Sequence, residues 1–451
     1  AGNQQFAPGY INSAYVNPSF QGGFLAFQDY RNENNTDVIV TADRNLTSKL
    51  QLVATAGGNA RRERFESTSQ QTTGLLVANT YNISNTALDP TLNQRLTRRE
   101  VNGVYGSAAF TYNRWFTVEG TARNDWSSTL PRGENSYFYP SFNSSVVLTD
   151  AVPALKNRYL DFAKIRGGVA RVGADAEPYQ LFTTFQGNSV RFGSAPQFTL
   201  GDTLANARLK PEITQAGEIG AELSFVGGRV TLDGTIYDRA TRNQIFSIAV
   251  SPASGFTNRA INAGLVRNRG VEALVGVTPI KQANGLTWTS TFNYGRNRNR
   301  IEQLTEGVNS IVLSQGLFGD ISIENQLNQP AGTIRTFAFE RDAQGRLIVN
   351  SQGLPIIQDT LSNFGTTQPR WTGGWDNEFR FKALSFRALL DFRRGGRLVS
   401  YSNYIGDYSG VLQSSLRGRE VDWNNPGVTV QGVTEDGQTN TQTITAERYF
   451  Q

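Results

Sequence analysis

The sequence predicts an all-β protein, a large antiparallel transmembrane β-barrel with long loops on one side, and three observations lead there. Apolar and polar residues alternate strictly over runs of roughly 10 to 14, near the 9–11 a tilted strand needs to cross a bilayer and longer than the usual soluble strand. Short links between these runs alternate with long polar ones. The chain of 451 residues is only 18% charged but 11% aromatic, which is too much burial potential for a solvated tail.

The strands are legible one by one. Between Trp115 and Trp126, Phe116, Val118, Gly120 and Ala122 share one face, and Thr117, Glu119, Thr121, Arg123 and Asp125 share the other. From Ile213 to Phe225 an apolar face (Ile213, Gly217, Ile219, Ala221, Leu223, Phe225) is broken only by Gln215, and Glu218 and Glu222 lie on the opposite side. Val230, Leu232, Gly234 and Ile236 oppose Thr231, Asp233, Thr235, Tyr237 and Arg239; Asp233-Gly234 resembles a hairpin dipeptide, but the alternation runs through it, so it reads as mid-strand. Phe386, Ala388, Leu390 and Phe392 oppose Ser385, Arg387, Leu389, Asp391 and Arg393. Segments 99–112, 137–149, 271–278, 286–295 and 375–381 follow the same rule less regularly, giving about 12–14 membrane strands.

Short links fall at Arg44–Thr47, Asn113–Arg114, Val226–Gly228, Lys281–Gly285 and Lys382–Leu384, and a longer one at Thr149–Tyr159, with Pro153, is expected to hold a helical turn. Long polar loops are expected at 61–98, 127–136, 174–212, 245–261, 301–370 and 395–451. Tight turns at one end and long loops at the other are the asymmetry of outer-membrane barrels. Tyr112, Trp115, Trp288, Phe379 and Phe381 sit beside short turns, where an interfacial girdle belongs, although sheets are aromatic-rich in any case. Glycines within strands (Gly103, Gly106, Gly120, Gly217, Gly220, Gly276) mark bends or close packing.

The composition also excludes chemistry. Cys, His and Met are absent and the net charge is +5, with acids interleaved among the bases, so thiolate or imidazole metal sites, Ser-His and Cys-His pairs, and a nucleic-acid stripe are not expected. Glu218 and Glu222 lie about 13 Å apart along one strand, too far for glycoside hydrolysis. Glu435, Asp436 and Asn440 do not match a calcium loop. No catalytic residue, metal or cofactor is expected. The start at Ala1-Gly2-Asn3, without Met, is expected of a processed chain or an internal piece of a longer one.

Three strings resemble the SusC/RagA-like TonB-dependent transporters: RNDWSSTLPRGENSYFYPSF from Arg123 to Phe142, LKPEITQAGEIGAEL from Leu209 to Leu223, and NAGLVRNRGVE from Asn262 to Glu272. Their order and separations also fit, and the resemblance covers residues 36–451. It implies a barrel of 22 strands in the bacterial outer membrane, with 1–451 forming part of the barrel domain and no plug within this sequence. It further implies active import of a glycan or peptide oligomer. The expected partners are outer-membrane lipid, a SusD-like surface lipoprotein, and TonB-ExbB-ExbD acting through an N-terminal part not found here. A structural or adhesive surface β protein and a passive porin are the alternatives.

On this reading Glu119, Arg123, Asp125, Asp376, Glu378, Arg380, Arg387 and Asp391 face the lumen and anchor the plug. Tyr401, Tyr404, Tyr408 and Trp423, in the last long loop, are the candidate ligand contacts, since aromatic rings stack on sugars.

Overall fold

The computed structural model describes residues 2–6, 22–72, 74–283, 285–316, 319–419 and 427–450. Contacts divide the chain into two units, Ala1–Ala221 with Thr241–Ala263 and Glu222–Ala240 with Gly264–Gln451. Three long strands contribute residues to both.

The first unit opens with β1 (Gly2–Phe6), β2 (Gly23–Asn45), β3 (Leu50–Gln71), β4 (Thr91–Tyr112), β5 (Phe116–Ser127), β6 (Ser136–Val147) and β7 (Leu160–Ala174), each antiparallel to the next. A hairpin of β8 (Phe185–Phe192) and β9 (Ala195–Leu200) and the short β10 (Thr203–Leu204) precede β11 (Glu212–Phe225). Then come β12 (Val230–Ala249), β13 (Asn258–Lys281) and β14 (Leu286–Gln303). After β15 (Ser310–Gln315), β16 (Ile321–Gln326), β17 (Thr333–Phe339), β18 (Leu347–Val349) and β19 (Ile357–Thr366), the main sheet resumes with β20 (Pro369–Phe381) and β21 (Leu384–Gly395). Short strands β22 (Val428–Thr429), β23 (Gly432–Thr434) and β24 (Thr443–Ile444) follow. The main sheet has fourteen strands in the order β1-β2-β3-β4-β5-β6-β7-β11-β12-β13-β14-β20-β21, with β10 beside β13.

The tight turns lie where the alternation placed them, except that the first falls at 46–49, two residues later than expected. Asn113 and Arg114 take φ of 47° and 64°, as a two-residue turn of primed type requires. Helix α1 (Leu148–Ala151) and a 3-10 turn at Pro153–Leu155 fill the link expected to be helical. Asp233-Gly234 lies inside β12, as read.

The long loops were drawn too long. Residues 61–71 and 91–98 are strand, β12 reaches Ala249 and β13 starts at Asn258. At the ends of β3 and β4 charges occupy both faces, so no apolar alternation exists to be read, yet the backbone ladder continues. Glu63 lies directly opposite Arg99, and Arg62 opposite Glu100, with ion pairs at 3.9 and 3.6 Å. Such cross-strand pairs replace the apolar stripe once a strand leaves the bilayer. The 301–370 segment likewise is not irregular: β15, β16, β17 and β19 form a four-stranded sheet within the second unit. Residues 401–408, expected as loop, are helix α2 (Tyr401–Tyr408), and α3 (Ala446–Phe450) lies near the end of the described chain.

The two faces of the strands differ as expected. Val169 on β7 is 59% exposed and Phe142 on β6 52%; in the second unit Phe386 and Leu390 on β21 are 64% and 57% exposed. A soluble sandwich would press such residues against a second sheet; their exposure fits a lipid-facing wall. Beside the tight turns, Tyr112 meets Trp115 edge-on at 5.8 Å, and Trp288 stacks on Phe379 at 5.5 Å. Closed apolar cores are small and lie toward the loops: Leu130, Tyr137, Ala176 and Leu209 in the first unit, and Val349, Val428, Val430 and Ile444 in the second.

Candidate functional site

In the first unit the ionic face of β4, β5 and β6 carries a chain of paired groups. Arg123 Nε donates to Asp125 at 2.8 Å, the Tyr139 hydroxyl donates to the same carboxylate, and the Arg123 guanidinium stands 5.3 Å from the Tyr105 ring. Gly103 lies beneath them, where a Cβ would crowd the Asp125 carboxylate and the Arg123 guanidinium and oblige these side-chain ends to shift. The sequence led to an expectation of bends or of packing against something in the lumen at this glycine; its neighbours are side chains of the adjacent strand.

Closer to the loops Asp175 is nearly buried. It accepts from Arg99 Nε at 3.1 Å, from Thr129 Oγ1 at 3.1 Å, and from the Ser127 hydroxyl. Tyr137 stacks on Tyr139 at 6.0 Å and packs with the fully buried Leu209. Past Leu209, Lys210 is held by Asn262, whose amide also donates to the Asn243 carbonyl at 2.9 Å. The Ile245 amide donates to Glu212 at 2.8 Å. All three strings that carried the resemblance therefore converge on one knot, which fastens loops to strands.

In the second unit the ionic face of β20 and β21 holds a bidentate Asp376–Arg387 pair and a Glu378–Arg380 pair at 2.7 Å. Asp391 is exposed opposite Gly374. Glu119 stays half-buried on the ionic face of β5 between Ala109 and Asn143. The expected lumen residues thus share the ionic faces of their strands, but mostly as short-range pairs.

The tyrosines do not form one site. Tyr401 meets Tyr404 edge-on at 6.3 Å in α2; Tyr401 borders one hollow, with Arg393 and Arg397, and Tyr408 another, with Arg419 and Phe450. Trp423 lies outside the described residues. Asn440 spends its amide on the Val430 carbonyl at 2.9 Å, and Asp436 accepts from Thr434, so both close local turns.

Sequence reasoning missed two features of this unit. Glu324 is buried at the centre of the loop sheet, taking hydrogen bonds from Ser310, from Ser322 at 2.5 Å and from Arg335 at 3.0 Å; Arg335 also donates to the Leu361 carbonyl at 3.0 Å, so one ion pair ties four strands. Burial pushes the Glu324 carboxyl up, but these three hydrogen bonds outweigh it and hold it below the ordinary range. The second is a hollow of about 1070 Å³ lined by Arg267, Arg269, Arg296, Arg298, Arg300 and Arg370, beside Trp371. The alternating Arg296-Asn-Arg-Asn-Arg300 run was the available signal, since period two places three guanidiniums on one side of a strand.

The family model described as TonB dependent receptor-like, beta-barrel matches residues 2–430. The chain belongs to this TonB-dependent receptor-like β-barrel family. It is an outer-membrane protein. TonB-dependent receptor P39 of Formosa agariphila is 24% identical over 401 residues, covering 77% of this chain and 37% of that protein. TonB-dependent receptor SusC of Bacteroides thetaiotaomicron is 30% identical over 125 residues, 25% of this chain and 12% of its own. Among solved structures, that of the RagAB peptide transporter matches with a TM-score of 0.76 and 15% identity, over 98% of this chain and 49% of the other. A closed-closed state of the RagAB peptide importer matches at 0.73. This TonB-dependent receptor-like barrel thus spans about half the length of the structures it resembles, and it is SusC/RagA-like in fold.

Proposed function

We propose that the chain forms barrel wall of a SusC-like importer that takes up a nutrient oligomer, glycan or peptide, by TonB-driven displacement of a plug. The observation that carries this reading is the two-sidedness of the long strands: Leu390 and Phe386 stand exposed on one side of β21, and Asp391 and Arg387 on the other. An apolar outer wall needs lipid, and an ionic inner wall needs water or a polar occupant. The unpacked ionic groups of β20 and β21 (Asp376, Glu378, Arg380, Arg387, Asp391) would hold the plug. Glu119, half-buried, and the Arg123–Asp125 pair, more buried than the pairs of β20 and β21, would contribute less. Tyr404 and Tyr408, both about half exposed, offer rings to a ligand or to a SusD-like lipoprotein lid. RagAB, described as a peptide transporter, supports pairing with such a lid by its resemblance in fold.

The test is uptake of candidate oligomers by cells carrying the full-length protein, with and without a proton gradient. Uptake that stops when the gradient collapses supports the importer. Uptake that persists identifies a passive channel. Surface adhesion without uptake of any oligomer identifies an adhesive protein, and either of these overturns the proposal.

A further inference from the structure

The outer side of β13 and β14 changes chemistry at one level. The register pairs Val275 with Phe292 and Ala273 with Tyr294; next come Val271 opposite Arg296, Arg269 opposite Arg298, and Arg267 opposite Arg300. These positions alternate along both strands, so they continue the side that carries Phe292. From Phe292 to Arg296 is four residues, about 13 Å along the strand. The apolar wall therefore gives way to guanidinium on two neighbouring strands at the same height, on the long-loop side.

Like charges directly opposed across a ladder repel. Asp238 relieves part of this, accepting from Arg267 at 2.6 and 2.8 Å and from Arg269 at 2.8 Å. Glu302 approaches Arg267 at 3.9 Å, and Arg300 turns to Asn328 at 3.0 Å. Among the described residues, Arg296 and Arg298 have no carboxylate within ion-pair distance. Five guanidiniums are thus left facing two carboxylates at the margin of the lipid-facing wall.

We infer that this patch binds the phosphate groups of lipopolysaccharide in the outer leaflet. Arginine suits the task because its planar fork accepts two phosphate oxygens at once. Its place in the fold favours a membrane occupant over a soluble one: the cations follow directly on residues that touch acyl chains, where anionic headgroups lie, and headgroup attraction decays within a Debye length of the surface. An acidic oligosaccharide entering from the medium would match the charge but has no reason to track the edge of the apolar wall.

The experiment uses the purified full-length transporter, wild type and Arg296→Gln/Arg298→Gln/Arg300→Gln, in detergent with either intact or dephosphorylated lipopolysaccharide. Bound lipid is measured by native mass spectrometry. Wild type is expected to prefer the phosphorylated lipid, and the triple variant to bind it about fivefold more weakly per arginine removed. The Arg→Lys triple variant keeps the charge and is expected to retain most of the binding. Equal retention of both lipids by wild type overturns the inference, as does unchanged retention by a Gln variant that still shows the heat-modifiable mobility of a folded barrel. If the Gln variant does not fold, release of lipid from wild type by salt decides the matter, and salt-insensitive binding counts against phosphate contacts. Loss of polygalacturonate binding in the Gln variant, with lipid binding intact, would assign the arginines to a soluble polyanion and also overturn the inference.

Discussion

Asn262 grips Lys210 by both of its backbone groups: the Lys210 amide donates to Asn262 Oδ1 at 2.8 Å, and Asn262 Nδ2 donates to the Lys210 carbonyl at 2.8 Å. The side chain of β13 thus stands in for one rung of a strand ladder and fixes the segment entering β11. Asn262→Ala removes these bonds and the one to Asn243, a loss of about 2–3 kcal/mol at roughly one per bond. The midpoint for urea unfolding of the full-length protein in detergent should fall accordingly, and Asn262→Asp, which sets a carboxylate oxygen against the Lys210 and Asn243 carbonyls, should lose at least as much. An unchanged midpoint would show that the segment is held by other means.

Asp175 serves three separate pieces of chain, Arg99 on β4, Ser127 at the end of β5 and Thr129 in the following loop. Removing a buried carboxylate leaves a guanidinium and two hydroxyls without their acceptor, a loss of about 3 kcal/mol. Asp175→Ala is expected to free the 128–135 loop first, since its anchor goes while the strands remain laddered. Limited trypsin digestion should then cut at Arg132 in the variant and spare wild type. Equal cutting in both would refute the anchoring role.

How far the sequence revealed this depended on which force shaped each segment. Inside the bilayer, lipid on one side and a polar interior on the other impose period two, and β5, β11, β12 and β21 were legible from that alone. Beyond the bilayer the constraint vanishes. The charged ends of β3 and β4 are strand because they are laddered to neighbours, β3 to both β2 and β4, a long-range fact invisible in Arg61-Arg-Glu-Arg64. The loop sheet around Glu324 was hidden for the same reason. The residues expected to face a plug share one parity within each strand, so their lying together on one side could be read from the sequence. Their mutual pairing, Arg387 with Asp376 across β20 and β21, depends on register, which parity does not give. Helix α2 went unseen because its pattern is short and its tyrosines read equally well as loop aromatics.

The loop sheet should be acid-labile. Glu324 is depressed below its ordinary value of 4.5 by hydrogen bonds that exist only in the folded sheet. A depressed carboxylate contributes stability that is complete above the unfolded pKa and is lost as pH falls through the folded one. Protection of the backbone amides of β16 and β17 against hydrogen exchange should therefore be constant from pH 7 to about 5 and decline below about 4.5 once intrinsic rates are corrected for. Glu324→Gln should remove this acid-dependent loss. Protection that declines equally in the variant would place the sensitive group elsewhere.

If the β20 and β21 charges hold the plug, neutralising them should loosen it. Asp376→Asn with Arg387→Gln removes both partners together, so no unpaired charge is left, and the strands should stay folded. In the full-length protein this double variant, combined with Glu378→Gln and Arg380→Gln, is expected to make the plug more susceptible to protease and to reduce gradient-dependent uptake. Unchanged plug protection and unchanged uptake would exclude these groups from that role.

Leu389 and Leu390 are neighbours on β21, 55% and 57% exposed, and nothing in their exposure tells them apart. Their environments differ only if one side of the strand meets lipid. Leu389 lies opposite Asp376 on the ionic side, whereas Leu390 lies opposite Trp375 on the apolar side. Leu390→Arg would place a guanidinium in hydrocarbon, costing roughly 2–4 kcal/mol near the middle of the bilayer. Leu389→Arg would place it beside a carboxylate in a polar interior, where the change should be small or favourable. Folding of the two variants into lipid vesicles, followed by the fraction reaching the heat-modifiable form across a urea series, separates them directly. Near-equal midpoints would mean that the apolar side of β21 does not face acyl chains, because no other environment at these adjacent positions penalises one arginine and spares the other.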